Sequence, residues 1–415
     1  RYLLFSVNYY KLSPERKIKT KKKRKSEIKI ERIESRYVMK RVSIFLGAVT
    51  VILLLAGCGN EVTNKDHFNL SSLSSKQENK IEKKQAAETI EYLSLDTEIK
   101  KLASHFSAVK FEGDYKFDDF LDQGGAASDQ EVLEYLTSTL LGSIDNKNLS
   151  FETKAFGCST ISVENKENGY YFGRNFDWNH CDAMIIAVYP ENAYASLSTV
   201  NMDFIKQSAG FVSNFLSDKV LILAGIYAPL DGMNEKGLCV SVNMIRDEDT
   251  ISQNNEKSDI TTTTAIRLLL DQAATVEEAI TLLEQYDFHA SMGYMIHLAI
   301  SDQTGKSVAV EYIDNEIKVI DTKILTNFYL AEGEKNGIGT KQSHTRFELL
   351  EDRLKEHSAM DRMQVRDALS LVSKGNFGEF ESTEWSVIFD QSALTAIYYH
   401  RENYDKSYAF ELFSK

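Results

Sequence analysis

The clearest pattern in the chain is a pair of strand-like segments between positions 155 and 178, separated by a short polar stretch. The segments CSTISV and GYYFGRNF flank the polar sequence ENKEN, which has the composition of a turn. Two such segments around a short polar turn predict an antiparallel hairpin over residues 158–176. From this point the sequence predicts a chain rich in strands.

The sequence after the hairpin predicts further strands that follow one another in runs, and helices that come in pairs. The apolar segments MIIAVYP, KVLILAGIYAPL and GLCVSVNMI predict buried strands, and so do YMIHLAISD, SVAVEYI, EIKVIDTKILTNF and the C-terminal segment. Apolar periodicity predicts helices at 262–273, 276–287, about 344–356 and 362–373. This arrangement favours a layered α+β fold over a βαβ fold. No internal repeat is visible in the sequence.

The segment ahead of the hairpin, residues 86–157, is predicted to be helical. Its apolar residues recur near helical spacing, at Ile90, Leu93, Ile99 and Leu102. Ser128 precedes a run with acids in its first turn, which is typical of a helix start. One face of that helix carries Val132, Leu133, Tyr135, Leu136, Leu140 and Leu141.

Residues 39–57 have the organisation of a secretory signal. Met39-Lys40-Arg41 forms a basic start, and the 14 residues Ile44–Gly57 form an apolar run. Such a run suits a signal peptide better than a membrane-spanning helix. It ends in Leu55-Ala56-Gly57-Cys58, which resembles a bacterial lipoprotein signal and implies lipidation of Cys58. An uncleaved N-terminal anchor is the alternative, and in both cases the bulk of the chain is extracytoplasmic.

Two polar stretches flank this signal. Residues 1–38 carry 13 Lys and Arg against 4 Asp and Glu, and they begin with Arg. They are interpreted as a non-native stretch ahead of a translation start at Met39, with a genuine basic leader as the alternative. Residues 58–85 are polar without apolar periodicity and predict a flexible tether between the lipid and the folded part.

The charge of the remaining chain argues against nucleic-acid binding. Residues 58–415 hold 33 Lys and Arg against 57 Asp and Glu, a formal net charge of −24. An acidic surface repels phosphate backbones. The cysteines show neither CxxC nor Cys/His metal spacing, so no metal site is predicted. Cys181 and Cys239 are left open between a disulfide and two buried thiols.

Cys158 is the cysteine with charged neighbours in sequence. With the turn centred near Lys166, antiparallel pairing places Arg174 opposite Cys158 and Asp177 just beyond it. A neighbouring arginine favours the thiolate form of cysteine. The spacing alone leaves a buried structural cysteine near an ion pair as an equal alternative.

The segment CSTIS…GRNFDW resembles the N-terminal motif of the choloylglycine hydrolase family, which includes bile salt hydrolases, penicillin V acylases and relatives of acid ceramidase. Further segments resemble the same family in the same order: NEKGLCVSVNMI, which contains Asn243, VIDTKILTNF, which contains Asn327, and SHTRFELL, which contains Arg346. The resemblance covers about residues 155–412. It implies a four-layer αββα fold of the N-terminal nucleophile (Ntn) hydrolases, with residues 158–415 as the catalytic domain.

The resemblance also implies a role for each matching residue. Cys158 is the nucleophile, and its own α-amine is the general base that Asp177 holds in place. Asn243 and a backbone N–H bind the oxyanion, and Asn327 holds the amine or the tetrahedral intermediate. The remaining two matches, Arg174 and Arg346, stabilise thiolate and carboxylate charge. The reaction is hydrolysis of a linear amide through a thioester, and it needs no cofactor.

A free α-amine on Cys158 requires cleavage of the Gly157–Cys158 bond. Relatives of acid ceramidase cleave autocatalytically, so the resemblance implies an α-chain, 58–157, that stays with a β-chain, 158–415. The expected partners are a small N-acyl amide and, through the lipid, the bacterial membrane, and self-association into a homo-oligomer is left open.

Three alternatives to this enzyme reading stay open. The first is a non-catalytic ligand-binding lipoprotein on the same scaffold, and the second is an acyltransferase that uses an amine acceptor. The third is a thiol protease that pairs Cys158 with His180 or His344. The identity of the amide is not predicted.

Overall fold

The computed structural model describes residues 90–141, 157–179, 181–209, 217–375 and 382–412. These residues all belong to the compact unit Thr89–Lys415. The predictions for residues 1–38, the signal at 39–57, Cys58 and the tether to residue 85 lie outside the described residues, as does His180. In the part of the chain that is described, no helix is long and apolar enough to cross a membrane.

The larger of two sheets has nine strands, in the order β1-β2-β5-β6-β7-β8-β11-β12-β13. Neighbours are antiparallel except β2 and β5, which are parallel. The strands are β1 Lys100–Ala103, β2 Phe106–Glu112, β5 Ala183–Tyr189, β6 Ser196–Asn201, β7 Asp231–Asn234, β8 Cys239–Met244, β11 Ile296–Ser301, β12 Ser307–Ile313 and β13 Glu316–Asp321.

The second sheet contains the predicted hairpin and has seven strands, in the order β14-β3-β4-β16-β17-β18, with β15 paired to β3. Its strands are β3 Gly157–Asn165, β4 Tyr170–Trp178, β14 Ile324–Leu325, β15 Ala359–Met360, β16 Ser382–Asp390, β17 Thr395–His400 and β18 Ser407–Glu411. A separate two-stranded sheet joins β9 Asp259–Thr261 to β10 Asp287–His289 in parallel.

Helices contact both sheets, and the sheets contact each other through β3 and β8. The helices in the described residues are α1 Phe117–Asp122, α2 Asp129–Leu136, α3 Met202–Ala209, α4 Asp218–Ile226, α5 Thr262–Gln272, α6 Val276–Leu283, α7 Lys341–Glu356 and α8 Arg362–Leu371, with a π-helical turn Thr137–Leu141 and a 3-10 turn Ser291–Gly293. Helices α4, α5 and α6 contact the nine-stranded sheet, and α7 and α8 contact the seven-stranded sheet. The predicted four-layer αββα fold is confirmed.

Strand β3 shows how sequence alternation produces these layers. Ile161 and Val163 belong to the cluster of buried side chains beneath α7 and α8. Cys158 belongs to the other, larger cluster, and Ser162 contacts Ser301 of β11 at 3.1 Å between their hydroxyl oxygens. Because successive side chains point to opposite faces, β3 presents aliphatic residues to the helices and Cys158 to the opposite sheet.

The four helices predicted after residue 260 are confirmed as α5 to α8. The helix start at Ser128 is also confirmed, since its hydroxyl accepts the N–H of Glu131 at 3.3 Å. Val132, Tyr135 and Leu136 of that helix are buried.

Two predicted elements are wrong. The residues from 90 to 112 are not helical: Leu102 lies in β1, and β2 follows. The segment KVLILAGIYAPL forms α4 instead of a strand. A short continuous apolar run fits a buried helix and a buried strand equally well. The stretch ahead of the hairpin is therefore mixed in structure, with β1 and β2 built into the nine-stranded sheet.

Candidate active site

The hairpin brings Arg174 to Cys158, in a different register from the predicted one. Cys158 pairs with Phe176, and Arg174 pairs with Thr160. The turn is centred one residue later than predicted, because Gly169 adopts a φ of +83° and Asn165 N–H bonds to its carbonyl. A shift of two positions keeps the same face, so Arg174 becomes a diagonal neighbour and its Nη2 is 3.7 Å from Cys158 Sγ.

Arg174 is fully buried and held by Asp231, which the sequence analysis did not identify. Its Nη1 is 3.1 Å from Asp231 Oδ2. Its Nη2 donates to the carbonyl of Val242 at 3.0 Å, and Nη1 donates to that of Leu230. Asp231 also accepts Trp385 Nε1–H at 2.9 Å. A single aspartate at the start of a strand carries no distinctive sequence signal.

The thiol of Cys158 is buried, which changes the expected effect of the arginine. Burial is the largest influence and raises the pKa of Cys158 above its ordinary value of 9.0, while Arg174 and Arg346 oppose it. The arginines therefore lower the cost of forming a thiolate without making it the dominant form. Proton removal by a base remains necessary for nucleophilic attack.

Asn327 and Arg346 surround the backbone of Cys158. Asn327 Oδ1 accepts Cys158 N–H at 2.8 Å and Arg346 Nη2 at 2.6 Å, while its Nδ2 donates to the carbonyl of Met244 at 2.7 Å. Arg346 Nη1 donates to Cys158 O and to Ser159 Oγ. The backbone N–H of Asn327 is held by the hydroxyl of Ser343 at 2.6 Å. Both predicted residues thus contact the main chain of Cys158.

Asp177 lies at the proposed cleavage junction. It pairs with Gly157 across the hairpin and is fully buried. Its Oδ1 accepts the hydroxyl of Thr383 at 2.7 Å, and its Oδ2 is 3.8 Å from both Arg346 Nη1 and Lys374 Nζ. Neither Thr383 nor Lys374 was identified from the sequence.

Asn243 is buried on β8, but its amide is already engaged. Its Nδ2 donates to the carbonyls of Leu325 and Thr326, both at 3.2 Å. An amide that donates to both carbonyls has no N–H left for an oxyanion unless one of these bonds is exchanged. The role of oxyanion donor stays a prediction for this residue.

A buried pair, His297 and Glu311, supports the same loop. His297 Nδ1 is 3.0 Å from Glu311 Oε1, and Nε2 donates to the carbonyl of Thr326 at 3.0 Å. Glu311 also accepts the N–H groups of Leu330 and Ala331. Burial raises the pKa of Glu311, yet these hydrogen bonds outweigh it, and the net pKa is below 4.5. Both nitrogens of His297 thus face oxygen atoms of the protein, one from Glu311 and one from Thr326.

A cleft lies beside the thiol. Its volume is about 500 Å³, which includes space that is open to solvent. Cys158 and Asp177 are among its lining residues. The other lining groups are mostly apolar, among them Phe176, Trp178, Leu230, Met244, Tyr294 and Ile296. Such a surface suits an apolar group of a ligand next to the sulfur.

The other candidates from the sequence lie apart from this chemistry. His344 donates to the carbonyl of Gly337 at 2.9 Å and stacks on Phe328, so it does not form a dyad with the thiol. Cys181 and Cys239 are free and buried, which decides the alternative left open between a disulfide and two thiols. Within the described ranges, no group of three or more His, Cys, Asp or Glu is arranged to hold a metal.

Comparison with protein families gives a match that begins at the proposed nucleophile. The model for linear amide C-N hydrolases, choloylglycine hydrolase family, matches residues 158–328. The match includes Arg174, Asp177, Asn243 and Asn327, whereas Arg346 lies beyond it. The comparison indicates the class of hydrolases that act on linear amide C–N bonds. Within that class it supports the choloylglycine hydrolase family, as the sequence motifs did.

Individual relatives are distant. A penicillin V acylase of Pectobacterium atrosepticum is 28% identical over 116 residues, which are 25% of this chain and 31% of that acylase. The match thus spans about a third of the curated relative's length.

Among solved structures, a mutant of the conjugated bile acid hydrolase from Clostridium perfringens has 20% identity and a TM-score of 0.46, covering 61% of this chain and 92% of that one. Penicillin V acylase from Agrobacterium tumefaciens has 16% identity and a TM-score of 0.37, covering 59% and 83%.

Proposed function

We propose that this protein hydrolyses a linear N-acyl amide, with Cys158 as an N-terminal nucleophile after cleavage of the Gly157–Cys158 bond. The observation that carries the proposal is the arrangement around the nitrogen of Cys158. Asn327 Oδ1 accepts its N–H at 2.8 Å, and Asp177 is the residue that pairs with Gly157 across the hairpin. A structural cysteine would not need a buried amide at its own backbone nitrogen and a buried carboxylate opposite the residue before it.

The order of events follows from acid–base chemistry. A free α-amine has a pKa of about 7.7–8.0, which suits a general base near neutral pH. It removes the thiol proton, and the thiolate attacks the amide carbonyl. The amine product leaves, and water hydrolyses the thioester. In this scheme Asp177 holds the α-ammonium, Arg174 stabilises the thiolate, and Arg346 keeps Asn327 and the main chain of Cys158 in place.

The fold is compatible with an α-chain that remains bound after cleavage. Strand β2 pairs with β5 along its whole length, from Phe106 with Ala183 to Glu112 with Tyr189. Residues on both sides of position 157 therefore share one sheet. An α-chain of residues 58–157 would need to give up these hydrogen bonds in order to leave the β-chain, 158–415.

The apolar cleft supports an acyl group as the part of the substrate beside the sulfur. We propose an N-acyl amide with an apolar acyl chain, while the amine part stays undefined. Transfer of the acyl group to an amine instead of water is the second outcome that the same thioester permits. The non-catalytic alternative is less well supported, because the thiol and its surrounding charges are intact.

The location of the enzyme is also a proposal. The signal at 39–57 and Cys58 support lipid anchoring, with the folded part outside the cytoplasm. Metabolic labelling with a fatty acid should mark the wild-type protein and not a Cys58→Ala variant. Equal labelling of both would refute lipidation at this residue.

The function is tested with a panel of N-acyl amides that differ in acyl chain and amine. We expect release of the amine from at least one class, with Cys158→Ala lowering the rate by about 10³-fold or more. Adding free amines to the assay separates acyl transfer from hydrolysis. Turnover that is unchanged in Cys158→Ala would refute the proposed nucleophile.

A further inference from the structure

Lys374 lies against the proposed cleavage junction, although no motif singles it out. Its side chain is 4% exposed, and its Nζ is 3.8 Å from Asp177 Oδ2. Thr383 ties the two residues together. The N–H of Lys374 donates to Thr383 Oγ1 at 2.8 Å, and this hydroxyl donates to Asp177 Oδ1 at 2.7 Å. Thr383 N–H also donates to the carbonyl of Lys374 at 2.8 Å. The main chain of Lys374 is thus linked to the carboxylate through Thr383, while its ammonium faces the same carboxylate.

Gly157 is the residue that this ion pair touches. A Cβ on residue 157 would lie 2.5 Å from Lys374 Nζ and 2.8 Å from Asp177 Oδ2. Both distances are shorter than a side-chain carbon tolerates, so the pair occupies the space that a larger residue would need. A positive and a negative charge therefore lie directly at the residue that precedes the nucleophile.

Cleavage of the Gly157–Cys158 bond creates two new charges at this buried place. Cys158 Sγ attacks the carbonyl carbon of Gly157, the C–N bond breaks, and the nitrogen takes up the proton. Water then hydrolyses the thioester, which restores the thiol and leaves a carboxylate on Gly157 and an ammonium on Cys158. Since unpaired buried charges are strongly unfavourable, each new charge needs an opposite charge beside it.

We infer that the ion pair of Lys374 and Asp177 supplies these opposite charges, which makes Lys374 a positioning residue for processing. The inference rests on the proposed function. In the uncut chain the two side chains form an ion pair, and Arg346 Nη1 lies at the same distance of 3.8 Å from Asp177 Oδ2. After the cut, Lys374 pairs with the Gly157 carboxylate and Asp177 pairs with the Cys158 ammonium. One ion pair becomes two, and no further charged side chain has to move into the site.

The test is a time course of processing in the full chain, followed by intact-protein mass spectrometry during cell-free synthesis. Lys374→Met removes the charge and should slow processing by about tenfold or more. Lys374→Arg keeps the charge and should process within about threefold of the wild type. Lys318→Met is the matched control, because it removes an exposed lysine that pairs with Glu316 on β13.

Wild-type speed in Lys374→Met would overturn the inference alone, and so would equal slowing in the Met and Arg variants. Folding is checked by thermal unfolding of each variant in the Cys158→Ala background, which lacks the nucleophile. If Lys374→Met does not fold, Lys374→Gln replaces it in the same comparison with Lys374→Arg. A wild-type chain that stays intact while it turns over amides would overturn the proposed processing and this inference together.

Discussion

The side-chain oxygen of Asn327 accepts the backbone N–H of Cys158 at 2.8 Å, across 169 positions of sequence. The same oxygen accepts Arg346 at 2.6 Å. This relationship joins Cys158, the proposed nucleophile, to the loop after β14. A loop residue that holds the main chain of Cys158 fixes where its thiol lies and where the proposed α-amine would form.

Replacing Asn327 with Ala should therefore lower kcat by about 10²–10³-fold, since the amine loses its acceptor and Arg346 loses a partner. Steady-state kinetics on the best amide of the panel would measure the loss. Asn336→Ala is the matched control, because Asn336 is exposed and only ties together its own turn. Equal activity in both variants would contradict the assigned role.

In an Arg346→Lys variant the lysine should not substitute functionally for the arginine, although the positive charge is kept. The guanidinium reaches Cys158 O, Ser159 Oγ and Asn327 Oδ1 at once, and a single ammonium cannot span these acceptors. We expect a loss of about 1.5–3 kcal/mol in the free energy of unfolding and at least tenfold in activity. Arg353→Lys on the exposed face of α7 provides the comparison. A similar loss of stability and activity in that variant would contradict a special role for the three contacts of the Arg346 guanidinium.

Glu311→Gln should destabilise the protein by about 3 kcal/mol at neutral pH, because the buried His297 would lose the carboxylate that its Nδ1 contacts at 3.0 Å. The pKa of Glu311 is lowered below its ordinary 4.5, so its contribution is present above that value and is lost as the pH falls through the folded pKa. Urea unfolding at about pH 7 and pH 4 should show a smaller loss on acidification in the variant. Glu316→Gln, on the exposed strand β13, should behave like the wild type, and equal acid sensitivity in Glu311→Gln would contradict the assignment.

Met244→Trp should fill part of the apolar cleft while leaving the backbone carbonyl of Met244 available to Asn327. We expect KM to rise by about tenfold or more for long acyl chains and to change little for short ones. Val319→Trp, on the exposed face of β13, controls for the added indole. An equal effect on long and short chains would refute the assignment of the acyl group to this cleft.

The sequence allowed prediction of the hairpin, the four late helices and the residues around Cys158. It failed where one pattern fits two structures, as for the apolar run of α4, or where spacing was misleading, as for Ile99 and Leu102. The register of the hairpin depended on the turn at Gly169, which no alternation pattern specifies. The error did not separate Cys158 from Arg174, because a shift of two positions preserves the face of a strand.

One physical reason explains why the sequence analysis did not identify several residues of the site. Asp231, Lys374 and Glu311 act through long-range contacts with Arg174, Asp177 and His297, and each is an ordinary charged residue in its local sequence. Their burial becomes visible only when the two sheets and their helices are assembled. Motifs point to the residues proposed for the reaction, whereas the charged residues that contact them become apparent only in the tertiary structure.

The N-terminus of the working subunit is the most direct test of the account. Active protein, purified with turnover confirmed on the same sample, is analysed by N-terminal sequencing and intact-protein mass spectrometry. The account predicts a β-chain that begins at Cys158 and co-purifies with the α-chain that ends at Gly157. An intact chain as the sole species in a fully active sample would contradict the N-terminal nucleophile.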